Sequence, residues 1–117
     1  MALALLGAVG CGGTPSAGPP DMASHCPNDL PGSCPTPAPS WDGGVSEIVA
    51  TVCANCHKSG GEAADKQFNT YADVYARRGV ILDQVYSCFM PPPDSVTLTP
   101  AQRQMLLGWL VCGAPNN

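Results

Sequence analysis

Val45-Ser46-Glu47-Ile48-Val49-Ala50-Thr51-Val52-Cys53-Ala54-Asn55-Cys56-His57 runs a helical stripe straight into a chemical motif. Val45, Ile48, Val49, Val52, Cys53 and Cys56 recur at i, i+3, i+4, i+7, i+8 and i+11, the spacing of one buried helix face. The last five residues place two cysteines two residues apart with a histidine next, the spacing of c-type haem attachment. On a helix Cys53 and Cys56 sit about one turn apart, so both thiols can form thioethers to the two vinyl groups of one macrocycle. His57 then lies where its imidazole reaches the iron from the proximal side.

Downstream of the motif the pattern stays helical. Ser59-Gly60-Gly61 ends the first helix, and Thr70 with Asp73 resembles a capping box that opens a second helical region. Gly79 is expected to divide that region, with Val80, Ile81, Val85, Tyr86 and Phe89 as the apolar face of its second half. Met90-Pro91-Pro92-Pro93 is extended loop, because each proline disfavours helix at the residue before it. Thr99-Pro100-Ala101-Gln102 combines an N-cap, proline at the first helical position and a glutamine that can reach back. The last helix carries Met105, Leu106, Trp109 and Leu110 on one face and stops at Gly113. No segment alternates as a strand does, so residues 45–117 are expected to form one all-α domain.

Upstream the composition changes. Gly12 to Gly44 holds eight prolines and six glycines with almost no periodic apolar residues, which reads as a flexible tether. Residues 1–11 read as a targeting segment, apolar and small, with Ala8-Val9-Gly10-Cys11 resembling a bacterial lipoprotein cleavage box. In that reading Cys11 is lipidated and anchors the exported protein to a membrane. Nine apolar residues are too few to span a bilayer as a helix.

Charge and composition narrow the function. The 117 residues contain 6% aromatics and 12% charged residues, with 13 each of proline and glycine. That leaves a thin core, which a covalently attached macrocycle would thicken by offering apolar surface. A formal charge of −4 is not the basic patch that a nucleic-acid partner calls for. All five basic residues (Lys58, Lys66, Arg77, Arg78, Arg103) follow residue 57. Arg77 and Arg78 could donate to haem propionates, or could line a solvated helix face.

Taken together, Cys53-Ala54-Asn55-Cys56-His57 after a helix, the Met90-Pro91-Pro92 loop about thirty residues later, and Leu98-Thr99-Pro100-Ala101-Gln102 followed by Leu106-Leu107-Gly108-Trp109-Leu110 resemble a small class I c-type cytochrome. The resemblance covers roughly residues 45–113. The tether and cysteine pattern further resemble monohaem lipoproteins of myxobacteria and their relatives. The resemblance implies a cytochrome c-like helical domain around one covalent haem c. It also implies first and last helices that cross near Trp109, and Met90 as the distal iron ligand opposite His57. Met105, on a helical stripe, is expected to be packing. His25, the other histidine, falls in the tether and is expected to be exposed.

Seven cysteines, less Cys11 for lipid and Cys53 and Cys56 for haem, leave Cys26, Cys34, Cys88 and Cys112. An even remainder in an exported chain implies disulfides, and three pairings are possible. The sequence-local pairs Cys26–Cys34 and Cys88–Cys112 are expected, because they avoid pinning a flexible arm to the core. Buried free thiols are the alternative.

The functional expectation is a monomeric electron carrier, not an enzyme, lipid-anchored on the periplasmic side of a bacterial membrane, with Gly12 rather than Asp after Cys11 leaning toward the outer one. It would exchange single electrons with a donor and an acceptor protein through His/Met-ligated iron. Two other classes compete. Cys53, Cys56 and His57 could form a structural zinc site with Cys88 or Cys112 as a further ligand. An open distal site would instead suit a haem peroxidase or a gas-binding domain.

Overall fold

The structure, a computed structural model, describes residues 26–117. The expected leader, the Cys11 lipidation site, the tether before Cys26, Met22 and His25 lie outside the described residues. Among the described residues the chain is helical and carries no strand. None of their helices is long and apolar enough to cross a membrane.

Helix α1 runs from Trp41 to Cys53 with a kink at Gly44, whose φ of 154° and ψ of −31° are not helical. It has wide π-type turns at Trp41–Val45 and Val49–Cys53 around an α-helical Ser46–Ile48. It starts four residues before the expected position. Ser40 makes that start possible, its hydroxyl accepting from Gly43 N at 2.9 Å. Val45, Ile48, Val49 and Val52 are buried, as the stripe requires. The helix ends at Cys53, so Cys56 and His57 lie in the turns that follow it rather than within it.

Helix α2 (Tyr71–Ala76) opens on the expected capping box of Thr70 and Asp73. Helix α3 (Arg78–Tyr86) follows after a break at Arg77, whose φ of −115° and ψ of 18° leave the helical range. The break thus falls two residues before Gly79, which is helical. Helix α4 (Pro100–Val111) begins at the Thr99/Gln102 capping box with Pro100 in its first turn. It packs against α3 on one side and the start of α1 on the other.

The core gathers around α4. Leu106, Leu107 and Trp109 are essentially inaccessible, and Val45, Val74 and Ala114 join them. Trp109 stands 5.5 Å from Trp41 and 6.3 Å from Tyr71 by ring centroid, and its indole N–H donates to Pro115 O at 2.9 Å. Tyr71 donates its hydroxyl to Ala114 O at 2.6 Å, fastening α2 to the C-terminal segment. Met105 belongs to this side too: it packs on the core beside Gly44, where an added Cβ would stand 2.6 Å from its sulfur.

Two expectations for the N-terminal region are corrected. Residues 26–40 do not hang free as a tether but lie along the helical domain, and the disulfides join Cys26 to Cys88 and Cys34 to Cys112. The expected pairs Cys26–Cys34 and Cys88–Cys112 do not form. The physical reason is that the arm has contacts of its own. Pro35 and Pro39 pack on α4 at Gly108, where an added Cβ would lie 3.0 Å and 3.3 Å from their rings. Asp29 pairs with Arg103 of α4 at 2.9 Å. An arm already held at two places brings each cysteine to a partner in the domain. The bridges close separations of 62 and 78 residues, for which the chain-entropy treatment gives stabilisation of about 4 kcal/mol each.

Candidate functional site

A cleft of about 480 Å³ opens between the end of α1, the loop after it, α3 and the Met90 loop. That size falls within the roughly 300–1,000 Å³ of small-molecule and cofactor sites. Cys53 and His57 from one stretch of sequence and Met90 from another all line it, whereas Cys56 does not. Val52, Phe68, Ile81, Val85, Leu98 and Leu106 supply an apolar wall. Met105 is not among the lining residues.

The motif is held by tight turns. His57 N donates to Cys53 O at 3.1 Å and Cys56 N to the same oxygen at 3.3 Å, carrying the helical path one turn past α1. The chain then folds back, with Ala63 N donating to Cys56 O at 2.9 Å and Phe68 N to His57 O at 2.8 Å. Gly61 is what lets this return pass so close, since a Cβ there would sit 2.4 Å from Cys56 O. The sequence reading took Gly61 as a helix stop; its closer duty is room for this backbone contact.

His57 is fixed by a hydrogen bond at Nδ1 and by a ring stacked against its imidazole. Its Nδ1 lies 2.7 Å from Lys66 O, and because a carbonyl can only accept, Nδ1 carries the proton there. Nε2 is thereby left with the lone pair, the tautomer that a metal-ligating histidine needs. Phe68 stacks on the ring at 4.2 Å between centroids and 16° between planes, setting its orientation. Partial burial lowers the imidazole pKa, the nearby charges of Lys66 and Arg77 adding to this and the Lys66 carbonyl opposing it. The neutral form is therefore favoured. Neither Phe68 nor the Lys66 carbonyl was singled out from sequence; an aromatic eleven residues past the histidine was the available signal.

Cys53 is the one free thiol among the described cysteines, and burial pushes its pKa up to about 11. Cys56 is buried, and its sulfur already has a partner in this structure. Its use as an attachment point therefore requires that partner to be released by reduction first. Cys88 and Cys112, the further ligands that a zinc site would need, are tied up in the two disulfides. Among the described residues no three His, Cys, Asp or Glu side chains converge as a metal cage.

The neighbouring arginines separate. Arg77 lines the cleft, whereas Arg78 lies over the Tyr75 ring at 3.8 Å and donates to Tyr75 O at 2.9 Å. Two cationic side chains, Arg77 and Lys66, therefore line the cleft along with Glu62 and Asp65, and Lys66 pairs with Asp65 at 2.8 Å.

Compared with protein-family models, with curated proteins and with solved structures, the chain matches none.

Proposed function

We propose that this chain is a monohaem c-type cytochrome of the class I kind, an electron carrier rather than an enzyme. The observation that carries the reading is the convergence of Cys53, His57 and Met90 on one apolar-walled cleft of cofactor size. The donors at the cleft fit the group: the free Cys53 thiol, an imidazole held with Nε2 free, and a thioether in a loop stiffened by three prolines. Cys56, at attachment spacing, does not line the cleft and would join only once its disulfide is reduced. Haem c bound there would supply one-electron exchange at its iron.

In this reading Cys53 and Cys56 hold the macrocycle through thioethers, and His57 is the proximal axial ligand. The Lys66 carbonyl and the Phe68 ring keep His57 oriented. Met90 is the distal ligand, and its soft sulfur favours the ferrous state and so raises the potential. Arg77 offers a cation for a haem carboxylate, while Arg78 is engaged on Tyr75. Val85, Leu98 and Leu106 line the cleft with apolar surface that would help exclude water from a bound macrocycle. Export, lipidation at Cys11, a periplasmic-side location and redox-protein partners complete the proposal.

A pyridine haemochrome spectrum of protein made in a cytochrome c-maturing host tests the core of it. A c-type haemochrome that survives denaturation is expected for the native chain and is expected to vanish in a Cys53→Ser/Cys56→Ser variant. Its absence from the native chain would overturn the reading and reopen the zinc alternative. Met90→Ala should abolish the weak long-wavelength band of thioether-ligated ferric haem, and Met105→Leu should retain it. Loss in Met105→Leu with retention in Met90→Ala would reverse the ligand assignment. Cys11→Ser should move the protein from the membrane fraction to the soluble periplasm; continued membrane association would remove lipidation from the proposal.

A further inference from the structure

Arg103 is the one buried charged side chain among the described residues, with 9% of its surface exposed. It does not line the cleft. Its guanidinium instead ties three parts of the chain together. Nε donates to Asp29 Oδ2 and Nη2 to Asp29 Oδ1, each at 2.9 Å, a bidentate pair with the N-terminal arm. Nη1 donates to Val85 O at 2.8 Å and Nη2 to Tyr86 O at 3.2 Å, carbonyls of the last turn of α3, of which Val85 O also accepts from Cys88 N at 3.0 Å. A longer contact of 3.4 Å reaches Pro27 O on the arm. Gln104 adds a donor to Asp29 Oδ2 at 3.1 Å, and Tyr86 donates its hydroxyl to Asn28. The Arg103 bond is the foremost cause holding the Asp29 carboxyl below its ordinary pKa.

These contacts end where the Met90 loop begins. Cys88, bridged to Cys26 of the arm, lies two residues before Met90. It has a φ of +67°, a left-handed conformation that a non-glycine residue keeps only where its surroundings over-determine it. Arg103 Nη1 lies 3.7 Å from the Cys88 sulfur, and Met90 N donates to Gln84 O at 3.0 Å. The residues that set the direction of the loop are thus held from the arm, by one covalent bond and one ion pair, and from α4.

We propose that residues Cys26–Asp29 form a strap that, through the Cys26–Cys88 bridge and the Asp29–Arg103 pair, positions Met90 over the cleft. Arg103 and Asp29 are positioning residues: neither lines the cleft, and they act on the candidate ligand through the turn at Cys88 and the end of α3, where Arg103 holds Val85 O. The inference rests on Met90 being the distal ligand in the reading above. It assigns the N-terminal arm a part in the site that neither its composition nor its distance along the chain suggests. The second bridge serves as an internal contrast, because it joins the arm to Cys112 at the C-cap of α4 and not to the turn that precedes Met90.

The test uses the full haem-loaded protein and the binding of imidazole to ferric haem, which requires Met90 to leave. The apparent affinity rises with the fraction of molecules in which the distal position is open. Asp29→Asn, Arg103→Gln and Cys26→Ser/Cys88→Ser are each expected to raise the apparent imidazole affinity at least tenfold and to weaken the long-wavelength ferric band. Arg103→Lys, which restores charge but not the fork, should recover only part of it. Cys34→Ser/Cys112→Ser is expected to lower the melting temperature while leaving imidazole affinity within twofold of the native protein. Asp29→Asn keeps the test readable if the buried-arginine variant does not fold. Unchanged imidazole affinity in Asp29→Asn and in Cys26→Ser/Cys88→Ser would overturn the strap. So would an equal rise in the Cys34→Ser/Cys112→Ser variant, because general loosening would then account for both. These outcomes differ from failure of the cytochrome reading, which would appear as a missing haemochrome in the native protein and would end this inference with it.

Discussion

The same arm is fastened at two ends of the domain, and the two ends are built from opposite materials. At the Cys34–Cys112 end the contacts are apolar: Pro35 and Pro39 on Gly108, and Trp41, Tyr71 and Trp109 in one aromatic group. At the Cys26–Cys88 end they are polar and directional: Asp29 forked on Arg103, and Arg103 on the last carbonyls of α3. Apolar burial is non-directional and scales with area, so the first end can supply stability without fixing any one atom. Charge-assisted hydrogen bonds fix direction, while an ion pair taken out of water returns little net stability. The first end therefore holds the domain together, and the second aims a loop.

The largest effect should come from the apolar end. Trp109→Ala removes an inaccessible indole that contacts Trp41 and Tyr71. A loss of about 3–5 kcal/mol is expected, a large share of the stability of a domain this small. Denaturant unfolding should show the midpoint collapsing, and a loss below about 1 kcal/mol would mean that this end is not the stabilising one.

Gly61→Ala comes next, and its expected action is local. Its Cβ would meet the Cys56 carbonyl at 2.4 Å, backbone against backbone, so the return from the motif must shift. Cost at a position of this kind is of order 1–3 kcal/mol. The sharper readout is at His57, whose Nδ1 depends on that return to reach Lys66 O. Weaker proximal ligation, seen as a lower yield of low-spin haem protein, is expected; normal yield with normal stability would show that the loop accommodates the methyl group.

The two ends also differ in how far the sequence discloses them. The helical stripe of Val45 to Val52, both capping boxes and the apolar face of α4 are local patterns, and each appears where its spacing implies. The cleft's three principal residues could be named because each carries a chemical signature within five residues. The break at Arg77 was misread by two residues, because glycine is permissive of a break without compelling one. The disulfide pairing was misread for a stronger reason. It depends on where the arm lies, and that depends on Asp29 meeting Arg103 seventy-four residues later. No periodicity encodes such a contact. A lone arginine on the otherwise apolar α4 stripe was the available hint, since a cation there must find an anion. Proline and glycine content suggested flexibility, yet proline rings pack well where a facing glycine admits them, as Gly108 does.

Tyr71→Phe is the smallest of these changes and tests whether the two ends are independent. It deletes one hydroxyl, which donates to Ala114 O at 2.6 Å at the apolar end, and leaves the ring contacts with Trp41 and Trp109 in place. A neutral hydrogen bond of this kind contributes about 1 kcal/mol net. In a domain of this size that corresponds to a fall of roughly 4–8 °C in melting temperature. Neither Tyr71 nor Ala114 lines the cleft. The imidazole affinity of the ferric protein should therefore stay at its native value while the melting temperature drops. If the affinity rises with the lost stability, the aromatic end and the strap share one cooperative unit, and the division of labour between them fails. If the melting temperature does not move, the Ala114 carbonyl has found water, and the C-terminal segment is held by Trp109 and Cys112 without help from Tyr71.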